Sequence, residues 1–199
     1  MAWEDKDIVN ATLAGLAIAV SIGTVFWQQW HGKKQAAPHL DATRLHAAKK
    51  LREAAYKVRD EVVYCRAPLV QPHEHSTPMD TWQNRAQAYR EVFAGRWKPV
   101  RQALDELAQA SREAEALFGP NVKTKVDALR QCARELYVGI DSYIANEQSQ
   151  GADFEADRDF GRQIRATAFA SLDDADNALN KSIWQAVADI DALLAPQLG

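Results

Sequence analysis

The chain has 199 residues, 24 of them Lys or Arg and 27 Asp or Glu, for a formal charge of −3 at pH 7. That near balance gives no support for broad nucleic-acid binding, which requires a strongly basic face. With two cysteines, Cys65 and Cys132, there is no disulfide framework.

The first element is the run Ile8–Trp27, twenty residues without a formal charge. A bilayer core of about 30 Å is crossed by roughly 20 apolar residues in a helix. The polar members Ser21, Thr12 and Thr24 can return their hydroxyls to the helix's own carbonyls, and Asn10 lies near one end. Trp3 precedes the run, and Trp27 and Trp30 close it, where indoles favour the membrane–water interface. A cleaved signal peptide fits less well: the start, Glu4-Asp5-Lys6-Asp7, is net acidic, the run is long, and Gln35–Pro38 is a poor cleavage site. A soluble core helix would show a polar face, which this run lacks.

Lys33 and Lys34 follow the run, then Arg44, Lys49, Lys50 and Arg52. Basic residues are retained on the cytoplasmic side. The expected plan is therefore an extracytoplasmic tail (1–7), a transmembrane helix (8–30), a juxtamembrane linker (31–40) and a cytoplasmic bundle (41–195) at the cell membrane. Lys33 and Lys34 are expected at anionic headgroups. Ala11, Gly15, Ala19 and Gly23 recur every four residues and form a possible helix–helix face for a homo-oligomer, although seven of the twenty residues are Ala, Gly or Ser and such a ladder arises readily by chance.

Beyond the run, only Lys6 of the basic residues and Glu4, Asp5 and Asp7 of the acidic ones have been used, so the remainder is balanced to within one charge. It is large enough for one domain with a sizeable core. In a cytoplasmic domain Cys65 and Cys132 are expected as free thiols; on the other side of the membrane they could pair.

Four helical segments are predicted. In the first, capped by Asp41 and ended by Pro68, Ala48, Leu51, Ala55, Val58, Val62 and Cys65 step in a coiled-coil-like 3-4 pattern. Its charged positions Arg52, Glu53, Arg59, Asp60 and Glu61 read as a solvated face. After the proline-rich loop Arg66–Pro78, Thr77-Pro78-Met79-Asp80 reads as the start of a second helix. That helix carries Trp82, Ala86, Tyr89, Phe93, Trp97, Val100, Leu104, Leu107, Ala114 and Phe118. Two four-residue steps, 89 to 93 to 97, coincide with Gly95 and Pro99 and predict a kink or break at 95–99.

Gly119-Pro120 starts a third segment with Val122, Val126, Leu129, Ala133, Leu136, Ile140 and Tyr143. Asn146–Asp153 separates it from a fourth, continuous from about Glu155 to Ala195, carrying Ile164, Ala168, Leu172, Ala175, Leu179, Ile183, Val187, Ile190 and Leu194 and closed by Pro196. Trp97, Trp184 and Phe118 are expected to fill the wider core layers. The expected fold is all-α: a single transmembrane helix followed by an antiparallel four-helix bundle.

Little in the sequence carries chemistry. His73-Glu74-His75 offers two imidazoles and a carboxylate in one loop, too few for zinc unless His39, His46 or Cys65 joins them. There is no Glu-x-x-His, His-Glu-x-x-His, Gly-rich phosphate loop, Gly-x-Ser-x-Gly or Cys-x-x-Cys. Both cysteines fall on apolar stripes, and Asp173, Asp174 and Asp176 spread over more than one helix face. The sequons Asn10-Ala11-Thr12 and Asn180-Lys181-Ser182 lie within the span and within a helix. No catalytic residue, metal or cofactor is assigned. The expected role is a non-catalytic interaction or scaffold module anchored in the lipid bilayer, with an unknown protein partner and no nucleic acid. The alternatives are a membrane-bound sensor, transmitting through 95–99 or 32–38, and a metal protein or enzyme using the His73/His75 loop.

Overall fold

The computed structural model describes residues 41–171, 174 and 176–198. The chain divides between Arg44 and Leu45, and the bundle is the second unit. Its α-helices are α1 (41–65), α2 (Trp82–Phe118), α3 (Asn121–Gln148), α4 (Ala152–Ala156), α5 (Arg158–Ala168) and α6 (Ala178–Leu198), with a short 3-10 turn at Pro72–Glu74. The expected span 8–30 and linker 31–40 lie outside the described residues. Among the described residues, no helix is long and apolar enough to cross a membrane.

The protein is all-α, its helices packed as a bundle. The apolar stripes decide which faces meet. All six stripe positions of α1, from Ala48 to Cys65, are buried, as are Val122, Val126, Leu129, Ala133, Leu136 and Ile140 on α3 and Leu179, Ile183, Val187, Ile190 and Leu194 on α6. Fully burying a Leu or Ile side chain contributes about 1.5–3 kcal/mol. These residues join those of α2 in one core cluster. Direction is fixed by pairs along the seams. Lys50 meets Glu113 and Lys57 meets Glu106, so α1 and α2 are antiparallel. Arg52 meets Asp191 while Arg66 meets Asn180, so α1 and α6 are antiparallel too. Between α2 and α3, Arg85 meets Glu147, Tyr89 meets Tyr143 edge-on and Trp97 packs tilted against Tyr137.

Four local expectations are corrected. First, Thr77-Pro78 does not start α2. The helix starts at Trp82, where Thr81 caps it by accepting from the Asn84 N–H at 3.1 Å. Thr77 instead donates its hydroxyl to Glu91 Oε1 at 2.8 Å. Asp41, expected as the cap of α1, is itself helical, and α1 stops at residue 65, ahead of Pro68.

Second, α2 does not break at 95–99: it is one helix through Gly95 and Pro99. The apparent slip came from reading Trp97 as a core residue. The buried positions are Phe93, Arg96, Val100, Ala103, Leu107, Ala110 and Ala114, an unbroken 3-4 alternation with a cation in one of its places.

Third, the expected fourth helix is three. Asp157 accepts from the N–H groups of Asp159 and Phe160 and starts α5. Asn177 accepts from the Asn180 N–H at 3.1 Å at the start of α6. Such side chains favour helix starts over helix interiors, because they offer the backbone a competing partner. Two of the last carbonyls of α5, Ala166 and Thr167, accept from the Arg66 guanidinium at 2.7 and 2.8 Å, so the helix ends on the side chain of the residue that follows α1. Leu172 and Ala175 lie outside the described residues, and α6 runs two residues beyond Pro196 to Leu198.

Fourth, Trp184 does not fill the core. It is 47% exposed, and the Arg59 guanidinium lies 4.5 Å from its ring centre. Trp97 and Phe118 are partly buried at the core's edge.

Candidate functional site

Most polar side chains inside the bundle are committed to holding it together. Arg66 is fully buried. Besides the two carbonyls, its guanidinium donates to Asn177 Oδ1 at 2.8 Å and to Asn180 Oδ1. Its partners are neutral oxygens, and burial pulls its pKa down to about 10 against the opposing field of Asp174. Arg96 faces the loop after α1. Nε and Nη2 grip the two Glu74 carboxylate oxygens at 2.6 and 2.7 Å, while Nη1 and Nη2 donate to the carbonyls of Ala67 at 2.5 Å and Leu69 at 2.7 Å. Glu74 holds Arg96 above its ordinary pKa, and Arg96 holds Glu74 below the usual carboxylate range. A second carboxylate, Glu91, takes the Ser76 N–H at 2.7 Å and the Thr77 hydroxyl, and these bonds lower its pKa to about 2.

These contacts explain the His73-Glu74-His75 motif. Glu74 also accepts the Gln71 N–H at 2.7 Å, closing the 3-10 turn, and His75 Nδ1 lies 2.8 Å from the Thr77 carbonyl. Its carboxylate orders the loop through Arg96. Among the described residues, no three His, Cys, Asp or Glu side chains gather as metal ligands would. Cys65 and Cys132 are both free and buried. Burial pushes their thiols up to about 12 and about 11, so neither is thiolate at neutral pH.

One surface is not committed. Between α2 and α3 lies a groove of about 780 Å³. Phe93, Trp97, Tyr137, Ile140 and Ile144 form its floor, and Arg90, Lys98, Arg101 and Asp141 stand around it. On α2, positions 90, 94, 97, 98 and 101 share one face, turned from the buried stripe by about one residue. Ala94 and Ala145 are the small side chains that leave it depth. The Trp97 and Tyr137 rings lie 5.2 Å apart, and Tyr137 is 54% exposed. The helix seams do not use the groove's cations: among the described residues, Arg90, Lys98 and Arg101 form no ion pair. An apolar concavity of this volume with a few convergent polar groups is of the size that takes a ligand or a partner's side chains.

Sequence reasoning did not single out this groove, nor the two buried arginines. Arg96 was legible in principle, since it holds the place that keeps the 3-4 alternation intact between Phe93 and Val100. Trp3, Ala11, Gly15, Ala19, Gly23, Trp27, Trp30, Lys33 and Lys34, expected at the membrane or in a helix pair, lie outside the described residues. No family model, curated protein or solved structure matches the chain.

Proposed function

We propose that the chain is a single-pass membrane protein whose transmembrane helix anchors a cytoplasmic helical bundle, and that the bundle is a non-catalytic interaction module. The supporting observation is the α2–α3 groove: Tyr137 is exposed along it, and three cations around it form no ion pair among the described residues, while Arg66, Arg96, Glu74 and Glu91 are used internally. The apolar run with tryptophans at its ends supports the anchor, and Lys33 and Lys34 support the orientation. Anchoring confines the module near other membrane-bound proteins, which strengthens a weak contact without adding a new one. Of the two places through which the sensor alternative would transmit, 95–99 lies within one continuous helix and 32–38 lies outside the described residues.

Two measurements test this reading. Reporters fused after Gly199 establish the side of the membrane: a membrane-bound signal from a cytoplasm-active reporter is expected, and a signal from an outside-active reporter alone would reverse the map. Photo-crosslinking residues placed singly at the exposed positions Glu53, Ala94, Glu135 and Ser182 of the full chain in its own membranes probe for a partner. A discrete heterologous adduct from at least one is expected. Diffuse labelling at all four would reject an interaction module.

A further inference from the structure

We propose that the α2–α3 groove is the docking site for an acidic amphipathic helix of a partner protein; the assignment rests on the interaction reading above. Shape is the first argument. The walls are two antiparallel helices, and from Arg90 to Arg101 α2 rises about 16 Å, the length of three helical turns. A helix laid in such a groove inserts apolar residues at i, i+3 or i+4, and i+7. Phe93, Trp97 and Ile140 offer the floor for such anchors, and Ala94 provides room beneath them. Charge is the second argument. Three cations face one carboxylate, Asp141, around this floor, and the cations form no ion pair among the described residues. An occupant with Asp or Glu flanking its apolar stripe would pair with them, and a basic one would be repelled.

The test uses the full chain held in discs of zwitterionic lipid, selected against a displayed library of helical peptides about three turns long. Enriched peptides are expected to carry Asp or Glu beside apolar residues at i, i+3 or i+4, and i+7. The variant Arg90→Glu/Lys98→Glu/Arg101→Glu changes only exposed side chains, so its helical circular dichroism should match the parent. It is expected to lose the selected peptides by roughly a hundredfold in affinity. Failure to enrich any peptide, enrichment without acidic bias, or binding that survives the reversal would overturn the assignment. Labelling of lipid and not protein from a photo-crosslinking residue at Ala94 would give the groove to the membrane, and an adduct between two copies through Ala94 would give it to self-association; either also overturns it. A discrete heterologous adduct in native membranes that forms equally with the reversed variant leaves the interaction module standing and removes the groove as its site.

Discussion

Arg96 occupies a core position of α2 and spends its donors on the loop after α1. Arg96→Met keeps much of the side-chain volume but leaves the largely buried Glu74 carboxylate with only the Gln71 N–H and takes the guanidinium from the Ala67 and Leu69 carbonyls. Breaking a largely buried pair by removing one partner costs about 3 kcal/mol, and a urea melt should show a loss of that order. Arg96→Lys should restore only part, since an ammonium cannot reproduce the fork. The same loop gives a pH dependence. Glu74 and Glu91 are both held below their ordinary value of 4.5 in the folded chain. Their stabilisation is therefore complete above that value and is lost as the pH falls through the folded pKa, about 2 for Glu91. The Ser76 and Thr77 amide resonances should shift across this window, and Glu91→Gln should remove most of the effect at these two amides. At this scale the sequence misled in an instructive way. An arginine in a heptad was passed over in favour of the tryptophan next to it, because hydrophobicity alone does not distinguish a buried cation with five donors from an exposed one.

The boundaries of the helices show the same competition between pattern and partner. The stripes of α1 and α3 were legible because each borders a break that is chemically marked: the prolines after Cys65 follow α1, and Gly119, which adopts φ 87° beside Pro120, precedes α3. The long fourth stripe was misleading. Its apolar period carried on through a region where Asp157, Asn177 and Arg66 stop and restart the backbone. The close approach of α5 to α3 is held by Gly139, where an added Cβ would lie 2.6 Å from Thr167 Cγ2 and 3.1 Å from Thr167 Cβ. Thr167 is β-branched and its hydroxyl is tied to the Gln163 carbonyl at 2.9 Å, so it has little room to yield. Gly139→Ala should destabilise the protein by about 1–3 kcal/mol despite the gain in helix propensity, and hydrogen exchange should speed up in α5. Gly95→Ala, with open space around its Cβ, is the matched control and should be neutral or stabilising.

For the whole molecule, the fold class was legible and the groove was not. Amphipathic period, caps and short connections point to packed helices, and salt bridges at matched heights reveal their directions only once the helices are placed. A groove is set by what is missing beside two helices, and no residue pattern marks an absent neighbour. The chain that begins at Asp41 should remain soluble, helical and cooperative in thermal unfolding, because the core cluster from Ala48 to Leu194 is built from residues of the second unit. Aggregation of that chain would show that the bundle depends on the bilayer or a partner.

Arg66 also imposes an order on synthesis. Its acceptors Ala166, Thr167, Asn177 and Asn180 follow it by 100 to 114 positions in the chain. At about 5–20 residues per second, the ribosome delivers the last of them roughly 6 to 23 seconds later. Until then the guanidinium has only water for company, and the end of α1 cannot close. α1, α2 and α3 must wait as a partly open assembly while the carboxyl-terminal helices emerge. That interval is when the apolar stripes of the first three helices are exposed, and when a chaperone has its opportunity.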